Sequence, residues 1–154
     1  MLVKRYVTSM MNVDYVELPA GEVLETPDSA VNSRVYGTFV LSGEYVVSAS
    51  DGPQYVGRTY PSDGNLVPND VACGAAVKAQ GDTTWLCFSP NDDVQRTVNQ
   101  LDVAGTATVP ADTGFFVASG TVQADGKTAN QFQFFRPRAI DTQVQGSGTL
   151  ILVR

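Results

Sequence analysis

The sequence predicts an all-β fold, an antiparallel β-sandwich of jelly-roll type with one short helix near residues 90–101. Three observations carry it. Apolar and β-branched residues alternate in short runs, as in "RVYGTFVL" and "TTWLCF". Turn signals punctuate these runs: Ser42-Gly43, Asp51-Gly52, Asp63-Gly64, Gly81-Asp82, Ser119-Gly120 and Asp125-Gly126. Only one stretch, "SPNDDVQRTVNQLD", spaces its apolar residues as a helix does.

In chain order the runs place strands at 13–18, 34–41, 44–49, 54–60, 75–80, 83–88, 103–109, 114–119, 131–136, 139–143 and 149–153, with residues 1–12 as a candidate N-terminal arm. Runs this short and numerous, joined by tight turns, belong to antiparallel neighbours in a sandwich or barrel. The helix is expected because Val94, Val98 and Leu101 stand at i, i+4 and i+7. Ser89 suits its cap, Pro90 its first turn, and Asp92 and Asp93 its dipole.

A repeat runs through the pattern. "YGTFVLSG" (36–43) returns as "TGFFVASG" (113–120), keeping Gly37/Gly114, Phe39/Phe116, Val40/Val117, Ser42/Ser119 and Gly43/Gly120. Two similar halves would produce it, as would two hairpins using the same turn chemistry. In both cases the echo concerns folding, since its apolar letters pack inward and its glycines turn the chain.

The chain of 154 residues is expected to form one domain, 1–154, large enough to bury about two-thirds of its unfolded surface without a disulfide or metal. Its net charge of −6 and scattered lysines (Lys4, Lys78, Lys127) disfavour nucleic acid as a partner. No run approaches the roughly eighteen apolar residues of a membrane helix, and no export signal follows Lys4-Arg5. Cys73 and Cys87 flank a predicted hairpin that a disulfide could bridge, though without an export signal two buried thiols are the favoured reading.

"VELPAGEVLETPDSAVNSRVYGTFVLSGEY" resembles the first half of a cupin, through Pro19-Ala20-Gly21-Glu22 and Leu41-Ser42-Gly43-Glu44. The resemblance implies a cupin-like barrel, but not the cupin metal site of several His and a Glu. The segment that would carry it reads "ETPDSAVNSR", and the chain has no His. No metal or cofactor is therefore expected. The second half, "TATVPADTGFFVASGTVQADGK" with "FRPRAIDTQVQGSGTLILVR", resembles small bacteriophage virion proteins in texture.

Without His there is no Ser-His or Cys-His pair, and "QGSGTL" reads as a turn into a strand. Carboxylates are the remaining catalytic candidates, with Glu17, Glu22, Glu25 and Asp28 close in sequence. Aromatic residues suggest an interface: Phe115, Phe116, Phe132, Phe134 and Phe135 put large apolar groups on both faces of their strands, beside Arg136 and Arg138.

The expectation is thus a non-enzymatic assembly protein, a phage virion component such as a capsid decoration protein. It would be made in the host cytoplasm, form a homotrimer by analogy with such proteins, and bind a major capsid protein. The alternatives are a carbohydrate-binding module and a metal-free cupin-like isomerase or hydrolase working through carboxylates.

Overall fold

The computed structural model describes residues 1–25, 35–47, 59–68 and 76–154. Cys73, Asp28, Tyr55 and most of the predicted strand 54–60 lie outside them. Two compact units emerge, Met1–Val7 with Met11–Asp93, and Thr8–Met10 with Val94–Arg154.

The first unit is a sandwich of two antiparallel sheets. One consists of β1 (Leu2–Val7), β2 (Asn12–Leu18), β4 (Gly37–Ser42), β7 (Leu66–Pro68) and β9 (Thr83–Ser89), in the order β1-β2-β9-β4-β7. The other orders β3 (Val23–Glu25), β5 (Glu44–Val47), β6 (Thr59–Pro61) and β8 (Ala76–Ala79) as β3-β8-β5-β6. Residues 1–12 thus hold an edge strand. Alternation sends Val16, Leu18, Val40 and Trp85 of the first sheet against Tyr45, Val47, Tyr60, Val77 and Ala79 of the second.

The second unit is one sheet of long strands: β10 (Val98–Val109), β11 (Gly114–Ala124) and β14 (Thr142–Val153), with short β12 (Lys127–Ala129) and β13 (Phe134–Phe135) on β11. β10 and β14 pair over their whole length, Val98 with Val153 through Val109 with Thr142. Its core gathers residues from both ends of the strands, Val109, Ala124 and Val144 together with Val103, Val117 and Leu150.

The predicted helix at 90–101 is corrected: no helix occurs among the described residues, and this stretch is irregular up to β10, which begins at Val98. Three apolar residues at helical spacing offered too small a stripe to compete. Extending Val98–Leu101 instead adds four ladder positions opposite Val153–Leu150 and buries Val98, while Val94 stays 55% exposed. The predicted strand 139–143 shrinks to Thr142 and Gln143 at the start of β14, and 131–136 to Phe134–Phe135.

The sequence echo has one geometry in both units. β4 pairs with β9 through a register shift between Val40 and Ser42, and β11 pairs with β14 through one between Val117 and Ser119. Each bulge is followed by a glycine of positive φ, 76° at Gly43 and 79° at Gly120. A Cβ on Gly43 would strike the Asp82 carbonyl, and one on Gly120 the Ser147 carbonyl. Gly146 and Gly148, inside β14 rather than in a turn before it, face the backbone of β11 at Thr121 and Ser119 as closely.

Gly126 also has positive φ, 72°, but open space around it, so comparison isolates the close approach. Gly126→Ala is expected to cost about 1 kcal/mol from φ alone, and Gly120→Ala at least about 2 kcal/mol, measured by urea unfolding.

Candidate functional site

A cleft of about 470 Å³ opens in the first unit, and strand register explains its floor. Leu2 of β1 pairs with Glu17 of β2, Glu17 with Thr84 of β9, and Thr84 with Ser42 of β4. Directly paired residues project from the same face, so these four side chains form one row across four strands. Pro19 and Asp82, beyond the strand ends, line the same cleft.

The polar groups of this row are held in place. Tyr15 Oη donates to Glu17 Oε1 at 2.7 Å, and Asp82 Oδ1 accepts the Ala20 N–H at 3.0 Å. The hydrogen bond to Glu17 pushes the Tyr15 hydroxyl up to about 12, so it stays a donor at neutral pH. Ser42 Oγ and Thr84 Oγ1 lie 2.7 Å apart. Thr83 Oγ1 is within 2.8 Å of the Glu44 and Gly81 carbonyls and locks the turn beneath. Two carboxylates, each fixed through one oxygen, with two neighbouring hydroxyls can bind a hydroxylated molecule and move protons on it.

Of the carboxylates singled out in the sequence, only Glu17 lines the cleft. Glu22 lies 3.9 Å from the amino terminus, and the side chains of Glu25 and Asp28 are not described. Asp82 escaped notice because Gly81-Asp82 reads as a turn. Its meeting with Glu17 depends on the pairing of β2 with β9, sixty-odd residues away in the chain.

Between the two sheets the described aromatic residues pack together. Tyr45, fully buried, stacks on Tyr60 at 4.8 Å between ring centroids and leans on Trp85 at 5.0 Å. Its hydroxyl donates to buried Thr38 Oγ1 at 3.2 Å. Each ring contact contributes about 0.5–1.5 kcal/mol beyond burial. Beside this core, Arg5 of β1 grips Asp14 of β2 through Nε and Nη2 at 2.7 and 2.9 Å.

Among the interface candidates, Phe115 and Phe116 are fully buried within the chain. Phe135 stacks on Phe115 at 5.0 Å with the rings 4° from parallel, while Phe132 stacks on Phe116 at 6.1 Å. Phe134 pairs with Phe116 across β13 and β11 and packs at Gly114, so Phe134 and Phe135 do take opposite faces. Arg138 pairs with Asp125 at 3.4 Å, and Arg136 is exposed.

No protein-family model matches the sequence, and no curated protein matches it. Solved structures do match. A cupin 2 conserved barrel domain protein from Leptotrichia buccalis aligns over 99% of this chain and 87% of its own, with TM-score 0.58 at 11% identity. HutD from Pseudomonas fluorescens aligns over 93% and 78%, with TM-score 0.60 at 13% identity. The fold is cupin-like. A salicylate 1,2-dioxygenase variant from Pseudoaminobacter salicylatoxidans also matches, over 96% of this chain and 71% of its own, with TM-score 0.50 at 12% identity.

The last of these corrects one expectation. The chain was expected not to be an enzyme, yet an enzyme shares this cupin-like fold, so the fold is one that can carry catalysis and gives no ground for that expectation. What the lack of His removes is the metal site known in cupin enzymes. Among the described residues no three Cys, Asp or Glu side chains converge to replace it, so the residues present do not fit that metal. The resemblance to virion proteins gains no support from these neighbours.

Cys87 yields a test of the packed interior. Its side chain packs on the aromatic core, and burial, with a smaller contribution from Asp14, pushes the thiol up to about 12. The folded state therefore holds this proton more tightly than the unfolded chain. Its influence on stability is nil while both states are protonated, below the usual thiol value of about 8.5, and destabilising as pH climbs towards 12. Wild type should lose more stability than Cys87→Ala between about pH 8 and about pH 10, read as urea midpoints at each pH.

Proposed function

We propose that this chain is a metal-free, cupin-like enzyme that binds a small hydroxylated substrate of the sugar class in the cleft of its first unit. The reaction is an isomerisation or a hydrolysis run by carboxylates. The carrying observation is that one cross-strand row and the adjoining turn bring Glu17 and Asp82 to the same cleft, beside Ser42 and Thr84.

In this reading one carboxyl group takes a proton from a substrate carbon or from water, and the other gives one to the substrate oxygen. Ser42 and Thr84 exchange hydrogen bonds with substrate hydroxyls, which both donate and accept as they do. The apolar wall of Leu2 and Pro19 covers the C–H face of a sugar ring and reduces its contact with water. Tyr15 holds Glu17 in place through its hydroxyl. A role in a virion has no observation in its favour and forms no part of this proposal.

The test is a panel of mono- and disaccharides and their derivatives, followed by NMR for shifted protein signals and for new sugar species. Turnover of at least one is expected, lost by about a hundredfold to ten-thousandfold in Glu17→Gln and in Asp82→Asn with unfolding midpoints unchanged. Saturable binding without product would leave a carbohydrate-binding module. Turnover indifferent to both substitutions would place the chemistry elsewhere.

A further inference from the structure

Exposed apolar residues are concentrated on one strand. Of the seven large apolar side chains exposed among the described residues, Met1, Leu2, Val3 and Val7 lie on or beside β1, at 65%, 49%, 50% and 73%. Val23 of β3, next to Glu22 and so near the amino terminus, is a fifth at 40%. β1 is also the end strand of its sheet, pairing with β2 on one side only. Among the described residues nothing pairs with its other side, and an edge with apolar groups on both faces is a template for another strand.

The usual protection, charge on the edge, is mostly spent in this strand. Arg5 is neutralised by its two hydrogen bonds to Asp14, and Lys4 lies over the Tyr6 ring, 4.9 Å from its centroid. We propose that β1 pairs antiparallel with β1 of a second copy of the chain, joining the two five-stranded sheets around a two-fold axis.

The sequence of β1 selects the register. A two-fold axis normal to the sheet keeps every side chain on its own face, so paired residue numbers must sum to an even number. Centring the axis on Arg5 sets Val3 against the partner's Val7, twice. The same register sets Lys4 against the partner's Tyr6, repeating the cation–π contact made within the chain. Arg5 meets its own copy, each guanidinium already paired with its Asp14. Centring on Lys4 would instead oppose two unneutralised ammonium groups. The interface is thus separate from the Phe132–Phe135 region, and it borders the cleft only through Met1 and Leu2.

Native mass of the full chain, by sedimentation over a concentration series, tests this with three variants. Wild type is expected to be a dimer. Val7→Asp and Val3→Lys, at exposed positions that leave the fold intact, should each weaken association at least about tenfold by facing a charge with valine. The double variant Val3→Lys/Val7→Asp should recover it, because this register places the introduced lysine opposite the introduced aspartate in both halves. A wild-type monomer at about 100 μM, a dimer indifferent to Val7→Asp, or a double variant no tighter than the singles would each overturn the proposal.

Discussion

Close approach of backbones at a few glycines is the constraint on which both units rest. In the twelve-residue β14, alternation puts Val144, Gly146, Gly148 and Leu150 on one face, and Val144 and Leu150 belong to one core. On that side the neighbouring backbone comes within the space of a methyl group. Gly120, Gly146 and Gly148 occupy that side, each facing a carbonyl of the adjacent strand. Gly43 answers the same need in the first unit, against the Asp82 carbonyl. The bulges just before Gly43 and Gly120 supply the extra residue that lets strand and side-chain alternation fall out of step there.

The same departure from regular pairing bears on the candidate site. The bulge in β4 moves Ser42 into register with Thr84, although alternation from Val40 would have sent it elsewhere. Without that shift the hydroxyl pair at 2.7 Å would not form, and the row from Leu2 through Glu17 and Thr84 would end on β9. Between the sheets, among the described residues, Tyr45, Tyr60 and Trp85 pack against one another. The candidate cleft lies on the sheet face that carries Leu2, Glu17, Thr84 and Ser42, where a polar row costs little because water reaches it.

Much of this was legible in the sequence, and the failures have physical causes. The expected strands 13–18, 75–80 and 83–88 follow from period-two alternation, and β2, β8 and β9 keep it because each has one face in a core. β1 was passed over because "LVKRYV" at an edge buries neither face, so nothing in its pattern distinguishes strand from arm. The stretch 90–101 was misread because caps and spacing are local, while the ladder with residues 150–153 lies fifty residues ahead. In the site, Glu17 was visible as an acidic residue but Asp82 was not, since their proximity exists only after β2 and β9 have paired. The opposed faces of Phe134 and Phe135 were correctly inferred; that Phe115 covers one and Phe116 the other could not be, because β13 reaches β11 through a turn with Phe132 at φ 68°.

Placing two carboxylates at one cleft in a chain of net charge −6 needs compensation, and the compensation is local. Like charges in a solvated cleft repel by about 1 kcal/mol at 4 Å in water, and more as solvent is excluded. No lysine or arginine lines the cleft, and the amino terminus of Met1 lies beside Glu22; the hydrogen bonds to the two carboxylates come from neutral donors, the Tyr15 hydroxyl to Glu17 and the Ala20 amide to Asp82. A lysine or arginine there would have relieved the repulsion more strongly, yet it would also have occupied the second oxygen of each carboxylate. Neutral donors orient one oxygen of each carboxylate without bringing a charge of their own. The proposed proton transfer relies on that difference, since in the ion pair of Arg5 with Asp14 the guanidinium engages both carboxylate oxygens and leaves neither for a substrate.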